Sequence, residues 1–427
     1  MKYQQIISTE AGLISGNLYK IPNRWFLPYG LHQVSCDGDN LSYIGSNVDR
    51  VLGAAIGLSF KDAIGSALGE FFERYCSSFE RENKLLKGSY QELSSKGHHL
   101  IKIDLLQYYA NWQYDSLPYQ PIDGESEISW IEGYDILNQK KILVPALSVF
   151  LPHNRYFDNE KDYVLNTSTG VAAGASQKDA IKGGFLECVE REAFTKFWYL
   201  QEDLLESIPN YTPEIVLETY KKNRIINHLF NNPKVEISIF DLSNLVPVET
   251  IVVFLFFKYK GRIFQSMGSA SRFLKEDALI KAILEAYQGV EYSILLDKKE
   301  EYWNKNEVDF SNVDDFSRHF AFYNRFPNFR QEVPIIKKAI EGKSNTSIIY
   351  EYPGKMKSME DINKLDIPHL IVVDLSTCDA KESGFEVVRV LTPTWSLLTG
   401  MHSRPFLGGK SLLGAPNIYL KYPHPFP

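Results

Sequence analysis

Cysteine is scarce in this chain: Cys36, Cys76, Cys188 and Cys378 stand alone, with no C-x-x-C pair. That excludes a disulfide framework and a zinc site of the usual spacing, and it suits a reducing cytoplasm. Long apolar runs are missing too. The longest, Ile251 to Phe257, has the length of a strand, and the opening Met-Lys-Tyr-Gln-Gln holds no signal-peptide core. A cytoplasmic protein with no membrane segment is therefore expected. Long basic runs are absent and the formal net charge is −7. Nucleic-acid affinity rests on many Lys and Arg contacts to phosphates, so no nucleic-acid partner is expected. That argument leaves a single nucleotide open.

The common catalytic and nucleotide signatures are also missing. No G-x-G-x-x-G, G-x-S-x-G or H-E-x-x-H occurs, and the nine histidines show no metal-ligand spacing. Gly409-Lys410-Ser411 looks like the end of a P-loop, but that motif needs glycine where Arg404 stands. Any ATP site must be of a non-P-loop kind.

What the chain does have is a repeat. Gly53, Gly57, Ser59, Lys61, Asp62, Ala63, Ile64, Glu70, Glu73 and Arg74 recur as Gly170, Gly174, Ser176, Lys178, Asp179, Ala180, Ile181, Glu187, Glu190 and Arg191. A third copy follows at Gly268, Asp277, Ala278, Leu279, Glu285 and Gln288. So many positions in register imply three copies of one glycine-containing turn leading into one helix.

At about 100° per residue, Ala63, Ser66, Ala67, Glu70, Glu73 and Arg74 share one helix face, opposite Ile64, Leu68, Phe71, Phe72 and Tyr75. The second copy sets Gly183, Gly184, Glu187, Glu190 and Arg191 against Phe185 and Val189. The third sets Ala282, Glu285 and Gln288 against Leu279, Ile283 and Tyr287. Small residues beside the acids predict that something approaches that face closely. One such face could be a solvated surface laced by Glu-to-Arg i,i+4 pairs. Three around a common centre would gather five carboxylates, Glu70, Glu73, Glu187, Glu190 and Glu285, with the amide of Gln288. Like charges at close range need a cation to stay ionised, and hard oxygen ligands suit Mg²⁺ bridging to substrate phosphates, or a structural metal cluster.

Length and composition, 427 residues with 44% hydrophobic and 23% charged, allow one elaborate domain or two smaller ones. With no low-complexity linker, one continuous α+β domain is expected, its mostly antiparallel or mixed sheets backing the three helices. Residues 1–45 read as a strand-rich lead-in and 46–427 as the main domain. Strands are expected over Ile128 to Tyr134, Lys141 to Val149, Val235 to Phe240, Thr250 to Lys258, Arg262 to Met267, Ile348 to Tyr352, His369 to Leu375 and Phe385 to Leu391. Residues 82–127 read as helical and loop material, and Asp297 to Asn345 as helical.

Ser66 to Arg74, the run Ser168 to Gly174 leading into Glu187-Cys-Val-Glu190-Arg191, Ala282 to Gln288, and Val387-Val-Arg389-Val-Leu-Thr-Pro393 together resemble the YcaO superfamily of ATP-dependent peptide-backbone modifying enzymes. The resemblance covers roughly residues 40–427. It implies a YcaO-type fold and a site in which Glu70, Glu73, Glu187, Glu190 and Glu285 hold Mg²⁺ on the triphosphate of ATP. Gln288 would complete that shell, with Ser66, Arg74 and Arg191 as phosphate or ordering contacts. Gly183 stands where the first copy has Ser66, and Gly289 where it has Arg74, so those roles do not carry across all three copies.

The ending Pro423-His-Pro425-Phe-Pro427 resembles that of the azoline-forming cyclodehydratases of thiazole/oxazole-modified peptide biosynthesis. Locked φ angles and missing N–H groups make it a stiff extended segment. The resemblance implies that Pro423 and Pro425 carry the Pro427 carboxylate into the site as the proton-handling group. The reaction implied converts Cys, Ser or Thr of a ribosomal precursor peptide to thiazoline or oxazoline. The implied partners are a separate ocin-ThiF-like or ubiquitin-activating-like protein that captures the leader, a flavin dehydrogenase, and a second copy in a homodimer; about 45 residues before the first repeat leave little room for a fused leader-binding domain. A YcaO enzyme forming a thioamide or amidine, or a non-catalytic nucleotide- or metal-binding scaffold, are the alternatives.

Overall fold

The computed structural model describes residues 2–8, 12–15, 18–153, 163–164, 166–299, 308–346 and 352–427. Three antiparallel sheets each deliver one of the repeated helices. The lead-in supplies β1 (Tyr19–Ile21) and β2 (His32–Gly38), and β3 (Val51–Gly57) completes a sheet in the order β1-β2-β3. β2 pairs with β3 from His32↔Gly57 to Gly38↔Val51, so the lead-in and the first repeat share one sheet. Helix α1 (Phe60–Ser77) follows, capped by Ser59, whose Oγ accepts the Asp62 N–H.

The second sheet gathers β4 (Leu86–Gly88), β5 (Ile128–Asp135), β6 (Lys140–Pro145) and β7 (Val171–Gly174). From β7 the chain enters α2 (Gln177–Tyr199), where Ser176 repeats the cap on Asp179. The third sheet, in the order β11-β10-β9-β8, contains β8 (Asn210–Tyr211), β9 (Val235–Asp241), β10 (Glu249–Tyr259) and β11 (Arg262–Arg272). It leads into α3 (Lys275–Asp297), and α4 (Phe316–Arg325) packs on that helix. Late strands β12 (Ile371–Asp374) and β13 (Glu386–Leu391) return to the second sheet, between β5 and β7.

The uninterrupted apolar run of β10 has a physical reason here. Ile251, Val253, Leu255 and Phe257 face the core that holds Ile283 and Tyr287 of α3, while Val252, Phe254 and Phe256 face the core that holds Phe185 and Val189 of α2. A strand buried on both faces has no polar positions to alternate. Phe71 and Phe72 of α1 lie in a third core with β3 and β5.

The antiparallel α+β reading agrees with this architecture, with local corrections. The strand expected to reach Val149 ends at Pro145, where Ala146–Ser148 turns into a 3₁₀ helix. Inside the stretch read as helix and loop, Leu86–Gly88 pairs with β5. Three residues are too few to show alternation. The strand expected over Ile348 to Tyr352 falls almost wholly outside the described residues. Among the described residues, no helix is long and apolar enough to cross a membrane.

Candidate functional site

Each repeat presses its helix onto its strand at one glycine register. A methyl group on Gly53 would lie 2.1 Å from the Ala67 carbonyl oxygen, and one on Gly268 would lie 2.2 Å from that of Ala282. In the second copy the relation is reversed: a methyl on Gly184 of α2 would lie 2.7 Å from the Gly170 carbonyl oxygen. The small residues of the acidic faces therefore admit the protein's own strands. This corrects the expectation at Gly184, which makes room for Gly170 and Val390. Gly183 is exposed one turn before Glu187, and a methyl there would lie 3.3 Å from the Ala172 methyl.

From this close packing the acids reach toward backbone groups of their own strand or of the next. Glu70 accepts the Ala54 N–H (2.8 Å) and Glu187 the Gly170 N–H (3.1 Å), each on its own repeat's strand side. One turn on, the side chains cross to the next repeat. Glu73 of α1 accepts the Ala173 N–H of β7 (2.9 Å), and Gln288 of α3 donates to the Ala54 carbonyl of β3 (3.1 Å). For Glu190 of α2 the link to the third repeat is electrostatic, since the charges of Glu285 and Arg272 act on it. The helices follow the same order, with α1 packed on β7, α2 on β11 and α3 on β3. Residues from all three repeats thus meet at one centre.

Its electrostatics are those of a site short of positive charge. Burial lifts the Glu73 carboxyl to about 8, helped by the charges of Glu187 and Glu70. Burial lifts Glu190 to about 8 as well, against the pull of Arg191 and with the push of Glu285 and Glu187. Glu187 is raised by burial, with Glu285 adding to it. Three nearby cations are already engaged. Arg74 donates to Glu70 (2.6 Å), Arg191 to Glu190 (2.6 Å) and Glu187 (3.3 Å), and Lys281 pairs with Glu285 (3.1 Å). Among the described residues no three His, Cys, Asp or Glu side chains stand close enough to hold an ion by themselves. Hard oxygens that raise one another's proton affinity fit divalent ions that draw their remaining ligands from phosphate and water.

Ser66 lies exposed on the acidic face one turn before Glu70. The equivalent position of the third repeat is Lys281, which sequence reasoning missed; a basic residue four places before Glu285 was the available signal. Arg272, at the end of β11, left no such trace. Arg389 was quoted for the resemblance and given no role. It is fully buried on β13, donates to the Thr167 carbonyl (2.7 Å) and to Asn166 (3.1 Å), and its charge acts on Glu187.

The terminal segment arrives at the same centre. Pro423 and Pro425 are buried and Pro427 is exposed. Between them the Phe426 ring packs edge-on to Phe194 (4.7 Å) and under the Arg191 guanidinium (4.2 Å), the group that binds Glu187 and Glu190. That is a cation–π contact of partly desolvated type.

Three strand–helix units that bring their acidic faces toward one centre, in a sequence without a P-loop, set this fold apart from the common mononucleotide folds. The family model for the ATP- and Mg²⁺-binding YcaO cyclodehydratases matches residues 54–396, and the chain belongs to this family. Among solved structures, a heterocyclase in complex with substrate and cofactor superposes with a TM-score of 0.66 at 18% identity; the match covers 93% of this chain and 52% of that one, so this chain spans about half its length. The Escherichia coli microcin synthetase McbBCD complex with pro-MccB17 bound gives 0.62 at 17% identity, covering 96% of each chain. YcaO from Methanopyrus kandleri, bound with AMPPCP and Mg²⁺, gives 0.53 at 17% identity, covering 89% of this chain and 86% of that one. At these identities the likeness is one of fold.

Proposed function

We propose that this chain is a peptide cyclodehydratase that uses ATP and Mg²⁺ to convert Cys, Ser or Thr of a ribosomal precursor peptide to thiazoline or oxazoline. In this reading Glu70, Glu73, Glu187, Glu190 and Glu285 hold Mg²⁺ and Gln288 joins them around the nucleotide. Ser66, Arg74, Arg191 and Lys281 are placed to meet phosphate oxygens once the carboxylates turn to the metal. Mg²⁺, when bound, neutralises the triphosphate and polarises its γ-phosphoryl group.

The chemistry balances simply. The substrate's side-chain sulfur or oxygen adds to the preceding carbonyl carbon and gives up its proton. The resulting oxyanion takes the γ-phosphoryl group and releases ADP. Loss of phosphate from that carbon, together with the amide proton, forms the C=N bond. The protein's part is to hold the groups in line and to move protons. The same reading assigns the first proton to the Pro427 carboxylate.

The observation that carries this reading is the meeting of the Pro423–Pro427 segment with the acidic ring through Phe426 and Arg191. A partner that captures the leader of the peptide is part of the proposal. It is supported by the fold likeness to the McbBCD complex with pro-MccB17 bound. The flavin dehydrogenase and the homodimer belong to the same proposal. Incubation with ATP, Mg²⁺, the partner and a leader-bearing peptide, followed by mass spectrometry, tests it. Loss of one water per modified site is the expected result. Exchange of oxygen for sulfur would make the chain a thioamide-forming relative, and an unchanged peptide with no ATP turnover would leave a scaffold.

A further inference from the structure

Three of the five residues from Pro423 to Pro427 are proline, so the backbone of this segment can be gripped almost only through its carbonyl oxygens. Two of those oxygens meet donors on one helix. Tyr323 donates its hydroxyl to the Pro423 carbonyl (2.7 Å), and His319 donates from Nδ1 to the His424 carbonyl (2.9 Å). Both donors are buried on α4, one turn apart, and the His319 ring stacks on that of His424 with centroids 3.8 Å apart. His424 is locked in turn. Its Nδ1 accepts the Phe426 N–H (3.3 Å), which leaves the ring proton on Nε2, 2.9 Å from the Thr399 carbonyl. Burial holds the proton affinity of both rings far below that of free histidine, so at neutral pH each is one donor and one acceptor.

We propose that His319 and Tyr323 are positioning residues that set the register of Pro423–Pro427 and so deliver its end to the acidic ring. Slippage by one residue would offer these donors the wrong carbonyls and lift the Phe426 ring off Arg191. The geometry stands by itself, while its catalytic consequence rests on the cyclodehydratase reading.

His424 and Phe426 are the only residues of the segment with a backbone N–H, so hydrogen exchange of a fragment spanning it reads the grip directly. Tyr323→Phe removes a single hydroxyl, His319→Leu removes the ring, and His319→Gln keeps an N–H donor. In Tyr323→Phe and His319→Leu, exchange at the Phe426 amide should rise at least about tenfold, the scale of one lost hydrogen bond. Cyclised product per ATP hydrolysed should fall about fivefold or more, with the KM for ATP within about twofold, as expected for lost positioning. His319→Gln should recover much of the product yield. Unchanged exchange in both variants overturns the proposal, as does faster exchange with undiminished product per ATP. If the wild-type protein with its partner forms no azoline at all, the proposed function fails, and exchange alone then decides the grip.

Discussion

Glu73 and Glu190 hold protons at neutral pH in the ligand-free protein, because burial and neighbouring carboxylates lift them from an ordinary value of 4.5 to about 8. Between those limits the folded state binds more protons than the unfolded chain, so stability falls as pH rises from about 5 to 8. Glu73→Gln and Glu190→Gln remove that slope. Thermal melting across this window should be flatter in both variants, with a higher midpoint than wild type at the alkaline end. A bound cation favours the ionised form, so binding of Mg²⁺ with a non-hydrolysable ATP analogue at pH 7 should release protons. Calorimetry in two buffers of different ionisation enthalpy measures this, and zero release would remove both acids from the ion's surroundings. Glu187→Ala or Glu190→Ala should lower ATP turnover by roughly a hundredfold or more, the scale of losing one preorganised electrostatic group, with the fold intact by circular dichroism. These acids were legible in the sequence because the same residue types recur at constant offsets. Arg272 and Arg389 were not, since an isolated arginine says nothing of which carboxylate it will face.

At the scale of elements, the glycines of the three strands decide how near each acid comes to the centre. A methyl on Gly268 would sit within 2.7 Å of Ala282, Ala286 and Glu285 atoms, two of them backbone, so the helix must move rather than a side chain yield. Gly268→Ala should therefore destabilise the protein by about 1–3 kcal/mol and displace Glu285 and Gln288 together. The check is a lowered melting midpoint accompanied by a raised KM for ATP; loss of stability with an unchanged KM would separate the packing from the site. The repeated helices were readable because 3.6-residue periodicity placed Phe71, Ile283 and their equivalents on buried faces. Their partners were harder to read. The crossing of Glu73 to β7 and of Gln288 to β3 depends on which sheet stands beside which helix, and periodicity along one helix carries no record of that. The strand Leu86–Gly88 is likewise set by the edge of β5 rather than by its own pattern.

In the whole molecule the ring and the terminal segment answer different needs. Glu73, Glu190 and Gln288 each act on the next repeat, so in the proposed function nucleotide and metal binding draws on all three. The segment from Pro423 to Pro427 enters from outside that cycle, held by α4 and meeting the ring where Phe426 packs on Arg191. Removing Phe426 and Pro427 leaves every proposed Mg²⁺ carboxylate in place and takes from Arg191 a cation–π contact worth about 0.5–2 kcal/mol. The affinity for a non-hydrolysable ATP analogue with Mg²⁺ should then change by no more than about tenfold, while cyclisation of the precursor peptide falls far more steeply. Fluorescence titration and mass spectrometry of the peptide measure the two quantities on one preparation. An equal fall in both would make the segment a structural strut of the nucleotide site; a fall in cyclisation alone means that the ring binds and the segment acts on what is bound.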